Sequence, residues 1–168
     1  RAVLEALAPE AFPGLIRHQA PRATPAQLER VHDAHYVAAL LGISVPEGQR
    51  RALDADTVVS HGSIEAALRA AGGAIDAVDR VMRGEGDAAF VAVRPPGHHA
   101  EPARVMGFCL FNNVAVAAAH ARAQWGLERV CVADFDVHHG NGTQAAFWTQ
   151  PGLFLASSHQ APCYPGTG

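Results

Sequence analysis

The residues best suited to chemistry lie at positions 130–142, VCVADFDVHHGNG, where an apolar run ends in two aspartates, two histidines and a glycine-rich turn. If residues 130–138 are extended, side chains alternate between two faces, and Asp134, Asp136 and His138 share one of them. Carboxylate oxygens and imidazole nitrogens are ligands that Zn²⁺ prefers. The spacing therefore favours a metal site over the alternative, an aspartate pair that caps a helix or forms salt bridges.

A second cluster, RPPGHHA at residues 94–100, follows another apolar run. Loops that follow the strands of an open parallel α/β sheet meet at one crevice, so we expect the two clusters to lie together. Adjacent histidines such as His98 and His99 suit general acid–base catalysis if each ring has a partner on its other nitrogen. Asp134 and Asn141 are the available partners. A histidine that stands alone is more often an ordinary surface or core residue, but four histidines at strand ends favour a site.

Longer motifs carry a family resemblance. RPPGHHA, MGFCLFNNVAVAAAH, VADFDVHHGNGTQAAF and SSHQAPCYPGTG together resemble the zinc-dependent histone deacetylase superfamily, which also contains acetylpolyamine amidohydrolases and acetoin-utilisation proteins. The resemblance covers at least residues 54–168, with weaker similarity upstream. It implies that Asp136 and His138 are two of three zinc ligands contributed by the protein.

The resemblance also implies roles for the histidine pair. His98 and His99 would be the tandem catalytic histidines, with Asp134 orienting His98 and Asn141 orienting His99. Many relatives have Asp in place of Asn141, and Asn is similar to the class II branch. Because an amide carries no charge, it should stabilise a protonated His99 less than a carboxylate would.

Two further sets of residues are implied only by the resemblance. Gly107 and Phe108 would form one wall of a narrow apolar tube for the stem of an acylated amine, with Tyr164 facing them. Without the family context, Phe108 would be read as an ordinary core residue. A structural potassium ion would be held by side-chain oxygens of Asp134, Asp136 and Ser157 and by backbone carbonyls of His138 and Ser158.

In the family, the third zinc ligand and the tyrosine that polarises the substrate carbonyl lie further along the chain than Gly168. We therefore expect residues 1–168 to be a single partial catalytic domain, an N-terminal portion that is inactive alone. A different third ligand is the alternative, and the spare donors are Asp54, Asp56, Glu101 and His159.

Composition limits the classes of function. The 168 residues have a formal net charge of −3, a pI of about 6.4 and no basic run, which argues against a nucleic-acid or membrane surface. No membrane span or signal peptide is visible, and three cysteines suit a reducing compartment, so we expect a cytoplasmic protein. Assembly as a homo-oligomer stays open. Cys131 reads as a small core residue; Cys109 and Cys163 read as packing or reactive residues.

The elements that position these residues alternate between helix and strand. Thr24 to Gln27 form a capping-box pattern, and residues 46–59 read as a loop-like break. The Gly72–Gly73 pair inside a helix indicates close packing. Helices are predicted from Pro25 and over 33–41, 63–82, 113–124 and 143–148, and strands over 88–93, 129–134 and 153–156. The order predicts parallel strands joined by crossover helices. The resemblance implies that they belong to a three-layer α/β/α fold with a mainly parallel sheet, arginase- and deacetylase-like but incomplete.

Together with the metal and histidine motifs, the resemblance implies zinc-dependent hydrolysis of an acetyl or acyl amide, with acetyl-lysine in a protein or an acetylated polyamine as substrate. Two alternatives stay open. One is a catalytically inactive deacetylase-like binding or scaffold module. The other is a dimanganese ureohydrolase, which needs a second cluster of Asp and His ligands and which RPPGHHA disfavours.

Overall fold

The computed structural model describes residues 2–168 and is a mixed α/β structure. Its elements, in chain order, are α1 Ala2–Ala6, α2 Pro25–Leu28, α3 Ala34–Leu41, β1 Arg50–Ala52, β2 Val58–Ser60, α4 Ser63–Met82, α5 Asn113–Trp125, β3 Val130–Asp134, α6 Asn141–Phe147 and β4 Leu153–Ser157. All five predicted helices are present. Where both ends of a helix were predicted, each observed end lies within two residues of the predicted one. Within residues 2–168, no helix is both long and apolar enough to cross a lipid bilayer.

Local side-chain chemistry starts the first two predicted helices. At α2 the backbone N–H of Gln27 donates to Thr24 Oγ1 over 3.3 Å, and Gln27 Oε1 accepts from the N–H of Thr24 over 2.8 Å. At α3 the Asp33 carboxylate accepts from the N–H groups of His35 and Tyr36. These caps satisfy N–H groups that have no partner within the helix, so both starts are fixed by residues a few positions apart.

The glycine pair in α4 packs closely against the chain before α2, as predicted. A Cβ at Gly72 would overlap the backbone of residues 21–23, and a Cβ at Gly73 would lie 2.9 Å from Ala20 Cβ. This approach joins α4 to a core shared with α2, α3 and α5. Its central side chains are Leu28, Val37, Leu40, Val59, Leu68, Ile75, Phe111 and Val116.

Strands β3 and β4 pair in parallel, from Val130 opposite Leu153 to Asp134 opposite Ser157. Alternate residues of both strands pack on α5 and α6 around Phe147. The other face is open, and the expectation that Cys131 is a core residue is wrong because it lies on this face. Side chains of β3 alternate between the packed face and the open face, and this alternation, more than its residue type, decides that Cys131 is exposed.

Two predictions about strands are also wrong. Residues 88–93 form no strand because no neighbouring strand supplies hydrogen bonds; the segment lies along α4, with Val91 near Gly73, and leaves Phe90 74% exposed. The expected loop-like break contains a small antiparallel hairpin, β1–β2. Residues 2–168 therefore contain two two-stranded sheets, one of them parallel, and not the extended parallel sheet that the sequence predicts.

Candidate active site

The loop that carries the two adjacent histidines is fixed by backbone hydrogen bonds on both sides. The N–H of Gly97, whose φ is 115°, donates to Cys109 Sγ over 3.0 Å, and the N–H of Thr143 donates to the carbonyl of His98 over 3.2 Å. Burial raises the pKa of the Cys109 thiol, which therefore stays protonated. Cys109 serves as a packing and hydrogen-bonding residue, since only the thiolate is reactive.

His98 lies beside the carboxylate at the end of β3. Its Nδ1 donates to Asp134 Oδ2 over 2.9 Å, while Asp134 Oδ1 accepts from the N–H of Asp136. Burial alone would raise the pKa of Asp134, but the hydrogen bonds from His98 and from Asp136 lower it below its usual value. Asp134 is thus a charged acceptor that holds the proton of His98 on Nδ1. A Cβ at Gly140 would overlap this carboxylate, so the close approach requires glycine there.

His99 is buried beside the first residue of α6. Its Nδ1 contacts Asn141 Oδ1 over 2.8 Å. Burial lowers the pKa of His99, as do the neighbouring His98 and His138 rings, and the hydrogen bond to Asn141 opposes the decrease. The net direction favours a neutral imidazole at neutral pH, which is the protonation state of a general base.

Four aromatic rings meet in one cleft. The ring centroids of His98 and His99 lie 4.0 Å apart, and those of His99 and His138 lie 5.9 Å apart. The Tyr164 ring stands edge-on to His99, at 4.9 Å. Within residues 2–168, no hydrogen bond occupies Nε2 of either His98 or His99. The two rings therefore keep one nitrogen each for a molecule in the cleft.

Asp136 and His138 lie in the loop after β3, because the strand ends at Asp134 instead of continuing to residue 138. Asp136 Oδ1 is 3.0 Å from His138 Nδ1, and the side chains are 49% and 40% exposed. Two ligands of tetrahedral zinc lie roughly 3.4 Å apart, so this pair fits two positions of such a site after a small adjustment. In the described part of the chain, no third His, Cys, Asp or Glu completes the group.

The predicted tube residues lie next to this cleft. Phe108 is 63% exposed with φ 65°, so reading it as a core residue is wrong. A Cβ at Gly107, where φ is 56°, would lie at 2.9 Å or less from three atoms of His99. Asp56 lies beside both segments: its Oδ1 accepts from the N–H of Gly107 over 3.1 Å, and burial together with the Asp56 carboxylate raises the pKa of the Tyr164 hydroxyl.

The residues expected around potassium lie at the end of the parallel sheet. Ser157 is the β4 residue opposite Asp134, and the N–H of Ser158 donates to the Asp134 carbonyl over 3.0 Å. The Ser157 hydroxyl contacts His159 Nδ1 over 2.8 Å. The structure thus brings Asp134, Ser157 and Ser158 together at one end of the parallel sheet.

Sequence reasoning missed the roles of three residues. Glu101 and Asp56 were considered only as spare metal ligands, yet Glu101 accepts from Asn141 and Asp56 binds the Gly107 loop. His139 was grouped with the other histidines, but it is buried and both ring nitrogens contact polar side chains, of Thr167 and Gln144. These roles depend on hydrogen-bond partners that are distant in the sequence. The sequence showed only that each of these residues is polar and lies beside a motif.

Comparison with known proteins identifies relatives of this arrangement. The histone deacetylase domain model matches residues 1–168. A histone deacetylase-like amidohydrolase of Pseudomonas aeruginosa is 47% identical over 146 residues, which cover 87% of this chain and 38% of that protein. Histone deacetylase 14, chloroplastic, of Arabidopsis thaliana is 41% identical over 160 residues, covering 87% and 37%.

A solved structure, the crystal structure of the HDA15 HD domain, superimposes with a TM-score of 0.88 at 36% identity. The match covers 99% of this chain and 47% of that chain. This chain therefore spans less than half the length of each of these relatives.

Proposed function

This chain belongs to the histone deacetylase domain family, and from that membership we propose that the protein is a zinc-dependent deacetylase that hydrolyses the amide bond of an acylated amine. The observation that carries the proposal is the cleft in which His98 and His99 are each held at Nδ1 and each keep Nε2 unoccupied, beside the Asp136–His138 pair. Two oriented imidazoles next to a carboxylate–imidazole pair are suited to amide hydrolysis.

The metal would be held by Asp136 and His138 together with at least one further protein ligand. When bound there, zinc acts as a Lewis acid toward the amide carbonyl and lowers the pKa of water toward about 7. The proposed potassium ligands are the side-chain oxygens of Asp134, Asp136 and Ser157 and the backbone carbonyls of His138 and Ser158.

The protein's own residues would move the protons. His99 Nε2 accepts a proton from the water whose oxygen adds to the amide carbon, and then gives it to the amine nitrogen as the C–N bond breaks. His98, with Asp134 on its other nitrogen, stabilises the negative charge that develops on the former carbonyl oxygen. The products are a carboxylic acid and a free amine.

We propose that Gly107, Phe108 and Tyr164 line the entry path for the methylene stem of the substrate. The substrate class is then acetyl-lysine in a protein or an acetylated polyamine, both of which present an acyl group on a long apolar stem. In the complete catalytic domain, the described elements would belong to an arginase-like three-layer fold with a mainly parallel sheet.

The test uses the complete protein loaded with zinc, an acetyl-lysine peptide and an acetylated polyamine. We expect hydrolysis of at least one, and we expect His99→Ala to lower kcat by about 10² or more without loss of zinc. The control is His35→Ala, an exposed histidine outside the cleft. Zinc-loaded wild type that binds acyl amines without cleaving them would indicate a scaffold module, and manganese-dependent cleavage of a guanidinium substrate would indicate a ureohydrolase.

A further inference from the structure

The side-chain amide of Asn141 lies between His99 and a carboxylate, Glu101. Asn141 Oδ1 is 2.8 Å from His99 Nδ1, and Asn141 Nδ2 donates to Glu101 Oε1 over 2.8 Å. The same nitrogen is 3.5 Å from the His99 carbonyl oxygen and 3.4 Å from Met106 Sδ. One end of the amide therefore faces acceptors only, and the other faces a ring nitrogen that can either donate or accept.

We propose that Glu101 is a positioning residue that fixes the tautomer of His99 through Asn141. The inference rests on the proposed function, since the tautomer matters only if His99 is the base. An ionised carboxylate can only accept hydrogen bonds, so it holds the NH₂ group of Asn141 toward itself. Oδ1 must then face His99, and His99 must carry its proton on Nδ1. The free electron pair lies on Nε2, the nitrogen that receives the proton of water.

Without the carboxylate, only the His99 carbonyl at 3.5 Å and Met106 Sδ at 3.4 Å hold the NH₂ group, and both contacts are long, so the amide of Asn141 gains a second usable orientation. In the flipped one, Nδ2 donates to His99 Nδ1, and the neutral ring carries its proton on Nε2. A ring in that tautomer cannot accept a proton at Nε2, so every flipped molecule is inactive. Glu101 therefore controls the fraction of molecules in which His99 is a competent base.

The backbone of Glu101 is held rigidly enough for this role. Its N–H donates to the carbonyl of Arg104 over 3.0 Å, and its carbonyl accepts from His32 Nδ1 over 3.1 Å. His32 is itself fixed, because its Nε2 accepts from the N–H of Asn112 over 2.9 Å and so leaves the proton on Nδ1. In the described part of the chain, no ion pair competes for the Glu101 carboxylate.

Glu101 and Asn141 are thus matched to each other. An aspartate at position 141 would need no orientation, because both of its oxygens accept. It would also place two carboxylates within hydrogen-bond distance, where like charges repel. Removal of Glu101 should therefore harm the enzyme when position 141 is Asn and help it when position 141 is Asp.

The kinetic test measures kcat and KM of the complete zinc-loaded protein on whichever acyl amine wild type cleaves. We expect Glu101→Ala to lower kcat by about tenfold with little change in KM, a smaller loss than the about 10² or more expected when the base itself is removed, because only part of the molecules would hold the wrong tautomer. Glu101→Gln should retain part of the activity because its carbonyl oxygen can still accept. Glu47→Ala, in an exposed loop, is the control and should match wild type.

The decisive comparison repeats Glu101→Ala in the Asn141→Asp background. We expect kcat to rise there, because the substitution removes the repulsion. A residue that only supports the fold would lower kcat in both backgrounds, and that outcome overturns the proposal.

A readout independent of activity is the ¹⁵N spectrum of the histidine side chains, with the His99 signals assigned by their loss in His99→Ala. At a pH of about 8.5, roughly two units above the usual pKa of a histidine, wild type should show a protonated Nδ1 and an unprotonated Nε2 for His99, and Glu101→Ala should show a mixture of tautomers. An unchanged spectrum overturns the inference even in an active enzyme. An inactive wild type with the expected spectral change instead contradicts the proposed function and leaves the Glu101 assignment standing.

Discussion

Alanine at Gly107 should disable His99 without a general loss of the fold. Gly107 has φ 56°, and a Cβ there would meet the Cβ, Cγ and Cδ2 atoms of His99 at 2.9 Å or less. His99 is buried and held at Nδ1 by Asn141, so the ring cannot yield without changing that hydrogen bond. The methyl group of Gly107→Ala should therefore displace the His99 ring, the proposed base.

The expected loss of folding free energy in Gly107→Ala has two parts. The left-handed backbone conformation costs an alanine about 1 to 2 kcal/mol, and loss of the His99–Asn141 hydrogen bond adds about 1 kcal/mol to the free energy of folding. A ring displaced by about 1 Å reduces kcat by about 10². Narrowing of the substrate tube alone would instead raise KM and leave kcat unchanged.

The matched control is Gly126→Ala, at the end of α5. Gly126 has a similar φ of 68°, but a Cβ there would meet nothing within 4 Å. Urea unfolding of both variants should show the shared backbone cost, and only Gly107→Ala should lose kcat. Equal losses of kcat in the two variants, or full activity of Gly107→Ala, would refute the steric argument.

Two further outcomes are expected. Asp136→Ala should abolish zinc binding at the Asp136–His138 pair, as measured by metal analysis after dialysis. If the double variant Asp136→Ala, His138→Ala still retains one equivalent of zinc, neither residue is a ligand. In the Glu101→Gln background, Asn141→Asp places a negative charge beside His99 and should raise its pKa; the acidic limb of kcat/KM, which requires neutral His99, should then move to higher pH. A pH profile that superimposes on that of the parent would show that residue 141 acts only as a turn or cap.

Local features were predictable from the sequence because their partners lie a few residues away. Examples are the capping box at Thr24, the helical period of α4 and the contact between Asp136 and His138, which are two residues apart. The family resemblance extended this to pairs such as His99 and Asn141, which lie 42 positions apart and which the structure brings within hydrogen-bond distance.

The errors concern properties that depend on distant neighbours. Residues 88–93 have a strand-like composition, but a strand requires a hydrogen-bonding partner that no local pattern specifies. Cys131 has the residue type of a core position and yet lies on the open face of β3. Glu101 was visible as a carboxylate beside RPPGHHA, but its orientation toward Asn141 depends on how the loop folds against α6.

The position of Asp134 links the sheet to the chemistry in a way that hydrogen exchange can follow. Its carbonyl accepts the last bond of the parallel pair, from the N–H of Ser158, while its carboxylate orients His98. We expect transient opening of this end of the sheet to expose the Ser158 amide to solvent and to release His98 in the same event. The exchange rate of that single amide would then measure the free energy that separates the ordered cleft from a locally unfolded one.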